Sequence, residues 1–175
     1  MLSPADGAFA TPRCRVRFAE IADAAAIYEI RSRMPWDPPT RDFDETVAMM
    51  TEMAERTWHA PGWRQFAVLV EDQVVGDIGV HFDSPTALQA ELGFAFHPDA
   101  RGRGLALESV SALVERLFEC TRLHRIAATT DARNVSAQRL LDRLRFRREA
   151  HFVQSWPHGE GEWSDEFAYA RLATD

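Results

Sequence analysis

The run Glu91-Leu-Gly-Phe-Ala-Phe-His-Pro-Asp-Ala-Arg-Gly-Arg-Gly-Leu-Ala-Leu-Glu108 limits the possible folds of this chain more than any other segment. It reads as an apolar strand, a short turn rich in Arg and Gly, and the opening of an amphipathic helix. Gly102 and Gly104 let the backbone turn tightly and come close to an anion, and the amides opening the next helix carry a partial positive charge. Arg101 and Arg103 add full charges. Taken alone, Arg-Gly-Arg-Gly is either an anion cradle or a turn whose arginines are solvated.

About 30 residues downstream stands a second motif, Asn134-Val-Ser-Ala-Gln-Arg-Leu-Leu-Asp-Arg-Leu-Arg-Phe146. The Glu-Leu-Gly-Phe strand with Arg101-x-x-Gly104-x-Ala106 resembles the acyl-coenzyme-A-binding signature of the GNAT superfamily of N-acetyltransferases, and the second motif resembles their Asn-x-x-Ser-x-x-x-Leu-Glu-Lys-Leu-Gly-Phe helix. The resemblance is closest to the RimJ/RimL-type branch and spans about Cys14 to Leu172. It implies an α/β GNAT fold, with a mixed, mostly antiparallel sheet flanked by helices. It also implies an acyl-CoA donor, an amine acceptor and, in this family, a possible homodimer.

At 175 residues and 46% hydrophobic, the chain suits one domain with a substantial core, expected over residues 13–175 after a flexible leader at 1–12. A formal charge of -7 argues against general nucleic-acid binding, because phosphate repels such a surface. Basic residues cluster around 101–148, where an anionic cofactor needs them. Cys14 and Cys120 are expected to be reduced, and no metal site is expected. No signal-peptide pattern is present and no segment approaches the roughly 18 apolar residues that span a bilayer, so the expected location is cytoplasmic.

Along the chain, strands are expected at Cys14–Phe18, Gln65–Val70, Val74–Phe82, Ala90–His97, Ile126–Thr130, Phe146–Gln154 and Glu166–Leu172. Helices are expected at Ile21–Ser32, Phe43–Trp58, Leu105–Cys120 and Ser136–Leu144. Three prolines keep 34–40 out of a helix. Strand parity puts Asp77, Gly79 and His81 on one face and Glu91, Gly93 and Ala95 on one face, each opposite large apolar residues. That pattern fits a groove floor or a solvated sheet surface equally well.

The resemblance places the pyrophosphate of acetyl-CoA on the amides of Arg101, Gly102, Arg103, Gly104, Leu105 and Ala106, and the pantetheine arm beside Phe94, Ala95 and Phe96. Asn134 matches a cofactor-contacting Asn, although Asn is also a good helix cap; Arg139 is a further cofactor-side candidate. Backbone amides near Phe94–Phe96 are the candidate oxyanion donors. Glu91 matches the strand position where several GNAT enzymes carry a base; solvation or pairing with Arg is the alternative. Asp77 and His81 are the reserves, and an ordinary His pKa of about 6.5 suits the task. His97 is expected to be structural or cofactor-side.

Leu141 stands where many of these enzymes carry an acidic tyrosine, the motif serine is Ala137 with Ser136 one place early, and Arg145 replaces the usual glycine. On a helix a one-residue shift turns a side chain by about 100°, which weakens Ser136 as an acid. Trp36, Trp156 and Trp163, with Phe43, Trp58 and Trp63, either wall an acceptor pocket or anchor long loops. Asp37, Asp42 and Asp44 either attract an ammonium or cap the helix that follows. The expected activity is acetyl transfer from acetyl-CoA to a primary amine, on a protein N-terminus or a small molecule. The alternatives are an inactive acyl-CoA sensor and an acyltransferase using another donor such as succinyl-CoA.

Overall fold

The computed structural model describes residues 8–35, 42–55, 61–84, 86, 88–157 and 161–175. In chain order the elements are β1 (Phe9–Ala10), β2 (Arg15–Phe18), α1 (Ala24–Ser32), α2 (Phe43–Glu55), β3 (Gly62–Val70), β4 (Gln73–Phe82), β5 (Gln89–Phe96), α3 (Leu105–Cys120), β6 (Arg125–Asp131), α4 (Val135–Arg143), β7 (Arg147–Pro157) and β8 (Trp163–Leu172). Short 3-10 turns at Ile21–Asp23 and Pro98–Ala100 lead into α1 and into the cradle. The strands form one sheet in the order β1-β2-β3-β4-β5-β6-β8-β7. Every pairing is antiparallel except that of β5 with β6. This is the mixed α/β sheet expected of the GNAT fold.

The alternation along β4 and β5 fixes what each face meets. Ile78, Val80, Leu92 and Phe96 turn toward the main core, where Leu105, Val110, Leu113, Val114 and Leu117 of α3 bury their stripe and Leu141 of α4 joins them. The opposite face carries α1, which packs on α2 through Ala24, Ile27 and Met50. Turn chemistry is strained at two places. The β3–β4 hairpin closes through Glu71 and Asp72, both at positive φ, which gives the turn the twist its strands require. Arg145, just past the end of α4, adopts the left-handed conformation that glycine reaches without a Cβ penalty.

Two expectations need correction. Residues 8–12 are not a loose leader, because Phe9–Ala10 pair with Val16 and Arg15 as an added edge strand. Trp156 and Trp163 are not on a loop, because β7 and β8 run on to Pro157 and Trp163; Pro157 is tolerated at the end of an edge strand, where no ladder donor is lost. The C-terminal part of the second expected helix, including Trp58, and also Trp36 and Asp37, lie outside the described residues. Cys14 is buried and Cys120 half-buried as free thiols, and burial pushes the Cys14 thiol up. Among the described residues no helix is long and apolar enough to cross a membrane.

Candidate active site

The sheet splits at its one parallel pairing. β5 and β6 are in register only at Gln89↔Arg125, Ala90↔Ile126 and Glu91↔Ala127. Beyond Glu91, β5 stays with β4 as far as Phe96 and β6 stays with β8 as far as Asp131, so a wedge opens between them. The His97 N–H donates to the Val75 carbonyl at 2.9 Å, and the Leu88 carbonyl accepts from the Arg125 N–H at 3.1 Å. Antiparallel alternation between these two anchors aims the peptide groups of Glu91, Gly93 and Ala95 at β4, and those of Leu92, Phe94 and Phe96 into the wedge. Of the three residues expected beside a pantetheine arm, Phe94 and Phe96 therefore offer main-chain groups. Ala95 does not, because its own are directed to the ladder with Asp77.

At the end of β5 the chain turns through His97, whose Nδ1 accepts from the Asp99 N–H at 3.3 Å, so it serves the turn structurally. Gly102 and Gly104 adopt φ of 71° and 78°, a region disfavoured for residues with a Cβ. Gly104 caps α3 with backbone alone, and no described side chain accepts from the first-turn amides. The Glu108 N–H is bonded back to the Gly104 carbonyl at 3.1 Å, so the amides of Leu105, Ala106 and Leu107 precede the helix's own ladder. Arg101, Gly102, Arg103 and Gly104 are exposed around them. Left-handed glycines, uncapped amides at a helix N-terminus and two exposed arginines fit a pyrophosphate group.

Asn134 lies at the other lip of the wedge, just beyond β6. Its Oδ1 accepts from the Ala137 N–H at 3.1 Å, so the helix-cap role is realised, and the NH2 end of its amide takes no part in the cap. Arg139 is exposed on α4. Ser136 is also exposed, while Ala137, about 100° further round the helix, is buried. Ser136 does not take the position of the motif serine. Leu141 is 1% exposed in the core, which removes that position as a source of an acid.

On the face opposite the main core, cross-strand register brings together Trp63 and His81, then Gln65, Gly79 and Gly93, then Ala67, Asp77 and Ala95. Glu91 stands opposite His81. The residues grouped by strand parity do share a face, but they divide by environment. Asp77 is fully buried, bound by Arg31 Nε at 3.0 Å and Nη2 at 2.5 Å and by the Gln65 amide. It ties α1 to the sheet and is closed to substrate, which corrects its candidacy as a base. His81 is half-buried, its ring 5.1 Å from that of Trp63 and its Nδ1 3.3 Å from Asp83 Oδ1. Glu91 is exposed and makes no ion pair with a described residue. A Cβ added to Gly93 would meet nothing within 4 Å, whereas one on Gly79 would stand 3.1 Å from the Trp63 indole. The floor is open at Gly93 and roofed at Gly79.

Trp63 is linked to the candidate base through its contact with His81, which stands opposite Glu91. Trp156 and Trp163 are exposed at the β7–β8 hairpin, beyond β6, so they do not meet Glu91's neighbours on β4. Asp42 accepts from the Glu45 N–H at 2.9 Å while Glu45 accepts from the Asp42 N–H at 2.9 Å; this capping box settles its role. Residues that no motif pointed to also reach the cradle. Arg13 donates to the Arg103 carbonyl and to Glu108, which also accepts from the Thr11 hydroxyl. The Thr11 hydroxyl, with Arg13, holds the Glu108 carboxyl below the usual carboxylate range.

Known proteins are similar to this chain. The acetyltransferase (GNAT) domain family matches residues 13–147. An uncharacterised N-acetyltransferase of Bacillus subtilis (strain 168), YnaD, is 31% identical over 166 residues, covering 93% of this chain and 95% of its own. Among solved structures, a GNAT-family acetyltransferase from Bacillus anthracis superposes with a TM-score of 0.79 at 27% identity, covering 96% of this chain and 99% of its own. Mycobacterium smegmatis RimJ in complex with CoA-disulfide shares the fold with a TM-score of 0.78 at 21% identity, covering 92% of this chain and 82% of its own. Split sheet, glycine-bearing cradle and these likenesses agree: the chain belongs to the GNAT acetyltransferase family.

Proposed function

We propose that this protein transfers an acetyl group from acetyl-CoA to a primary amine in the cytoplasm, the acceptor being a protein N-terminus or a small-molecule amine. The observation that carries the reading is the wedge between β5 and β6, with a cradle of uncapped amides at one lip and, at its apex, the carboxylate of Glu91, which makes no ion pair with a described residue. The amides of Gly102 through Ala106 would hold the pyrophosphate, the Arg101 amide being already committed to the Pro98 carbonyl at 3.1 Å; the peptide groups of Phe94 and Phe96 would hold the pantetheine arm, and the NH2 end of Asn134 a further point on it. The bound thioester supplies an activated acyl carbon.

The remaining chemistry falls to this chain's own groups. Glu91 takes a proton from the substrate ammonium at a carboxylate oxygen, directly or through one water, freeing the nitrogen lone pair. A wedge-facing amide of β5 donates to the acyl oxygen as charge grows there. Trp63 and His81 wall the acceptor side, and Gly93 leaves room between them and the cofactor arm. A leaving thiol with a pKa of about 8.5 needs little acid help, which agrees with a leucine, Leu141, buried at the acid position.

Thiol-reagent detection of CoA release from acetyl-CoA tests this, using N-terminal peptides, polyamines and aminoglycosides as acceptors. Release with one class supports the transfer and names the acceptor. The absence of any side-chain acid at Leu141 or Ser136 also favours a second reading, an acyl-CoA sensor without turnover. Tight CoA binding with silence across the panel would select it. The cradle reads phosphates alone, so competition between acetyl-CoA and succinyl-CoA decides the donor.

A further inference from the structure

Resting on the acyl-CoA reading of the cradle, we propose that Arg13 is a positioning residue for the donor: with Thr11 and Glu108 it clasps the cradle in the shape that bound phosphates require. The clasp spans Gly104 from both sides. Arg13 Nη1 donates to the carbonyl of Arg103, just before that glycine, at 2.8 Å. Its Nε and Nη2 each lie 2.7 Å from Oε2 of Glu108, in the first turn of α3 just after it. The Arg13 N–H and the Thr11 hydroxyl donate to the other oxygen, Oε1, at 2.8 and 2.6 Å. Thr11 is itself held, since its Oγ1 accepts from the Cys14 N–H at 2.9 Å. Nη2 stands 3.3 Å from the point a Cβ on Gly104 would occupy, so the guanidinium covers that residue.

Two consequences bear on anion binding. Gly102 and Gly104 give the loop its curvature and also its freedom, and no side chain caps α3; the Arg13 fork supplies the missing restraint from outside the loop. The second consequence is electrostatic. A carboxylate in the first turn of a helix competes with an incoming anion for the same positive helix end. Glu108 is such a carboxylate, and Arg13 offsets its charge and holds both its oxygens. The Arg13 side chain is 52% exposed, and exposed pairs contribute little to stability. A merely structural role therefore predicts a small change in Tm and no change in CoA affinity, while a positioning role predicts the reverse emphasis.

Calorimetric titration with CoA, alongside steady-state kinetics, separates these. Arg13→Ala is expected to raise the Kd for CoA and the KM for acetyl-CoA by about tenfold, with kcat and the acceptor KM within about twofold of wild type. Adding Glu108→Gln to Arg13→Ala is expected to recover several-fold of that loss at low salt and less at 0.5 M salt, because a repulsive charge has been removed. Arg13→Lys retains the charge but cannot span Arg103 and Glu108 together, so it is expected to weaken CoA binding at wild-type Tm; it carries the test if Arg13→Ala does not fold. A Kd for CoA within twofold of wild type in Arg13→Ala, or in Arg13→Lys if only that folds, would overturn the clasp while leaving the cofactor reading intact. Wild-type protein that binds no CoA would instead overturn the cofactor reading and the clasp with it.

Discussion

Glu91 and His81 stand opposite each other across the β4–β5 ladder, at the level where β5 loses its parallel partner β6. Both lie on the face away from the main core, with Gly79 and Gly93 as the next pair on that face toward the cradle. Glu91→Gln is expected to lower kcat by about 10²-fold or more with CoA binding unchanged, because the amide keeps the shape but cannot take a proton. His81→Ala is expected to act mainly on acceptor KM, through the loss of its contact with Trp63. If the two variants exchange these effects, with kcat collapsing in His81→Ala and surviving in Glu91→Gln, the base is His81.

Asp77 shares the parity of His81 but has a different role. Its carboxylate joins the sheet to Arg31 near the C-terminal end of α1, with no exposure to solvent. Removing one partner of a buried pair costs about 3–5 kcal/mol, and the low end applies here because Arg31 is partly exposed and can regain water. Asp77→Ala is expected to lose about 3 kcal/mol in urea denaturation, while kcat at temperatures well below its Tm stays within several-fold of wild type. A kcat loss as large as that of Glu91→Gln in folded Asp77→Asn would return Asp77 to the chemistry.

The difference between these two aspartate and glutamate positions marks where sequence reading stops. Period-two alternation groups Asp77 with His81 on one strand and Glu91 with Gly93 on the next, the β4–β5 register joins them on one face, and the Arg-Gly-Arg-Gly turn marks a cradle after β5. Alternation does not say which end of that face a helix covers, and that depends on how α1 crosses the sheet. The Arg13–Glu108 contact was hidden for a related reason. It joins residues 95 apart in the chain, one of them directly after the stretch 1–12 expected to be a flexible leader. In the sequence, Pro157 and Gly161 break the strand pattern between Trp156 and Trp163, while β-pairing at the edge of the sheet overrides that local signal.

Asp131 ends β6 beside the wedge, with its carboxylate bound by the Arg133 guanidinium at 2.9 and 2.7 Å. This contact above all lowers its pKa from 3.8 to about 2. Since the folded value lies below the unfolded one, the stabilisation is complete above about pH 5 and is lost as pH falls toward 2. The residue is largely buried, so the increment is about 2 kcal/mol at neutral pH. Asp131→Asn is expected to be less stable than wild type by about that amount at pH 7, with the gap narrowing steadily between pH 5 and pH 2 in urea titrations. A gap independent of pH would mean that packing, not charge, holds this corner.

Arg145 follows α4 at φ 64°, its N–H donating to the Asp142 carbonyl at 3.0 Å while the Phe146 N–H donates to the Leu141 carbonyl at 2.9 Å. These bonds close the helix and deliver Phe146 to the core, and they require a left-handed residue between them. An arginine pays a steric cost there that glycine does not, although glycine loses more entropy on folding. The steric term wins at positive φ, so Arg145→Gly is expected to raise stability by about 0.5–1 kcal/mol and to leave CoA binding unchanged. Arg143→Gly, two residues earlier at the last helical position of α4, supplies the control. There the entropy loss acts with no relief of strain, and the expected change is a loss of about 1 kcal/mol. Opposite signs for the two glycines in the same denaturation assay would show that the backbone conformation at 145, and not the loss of an arginine, sets the difference.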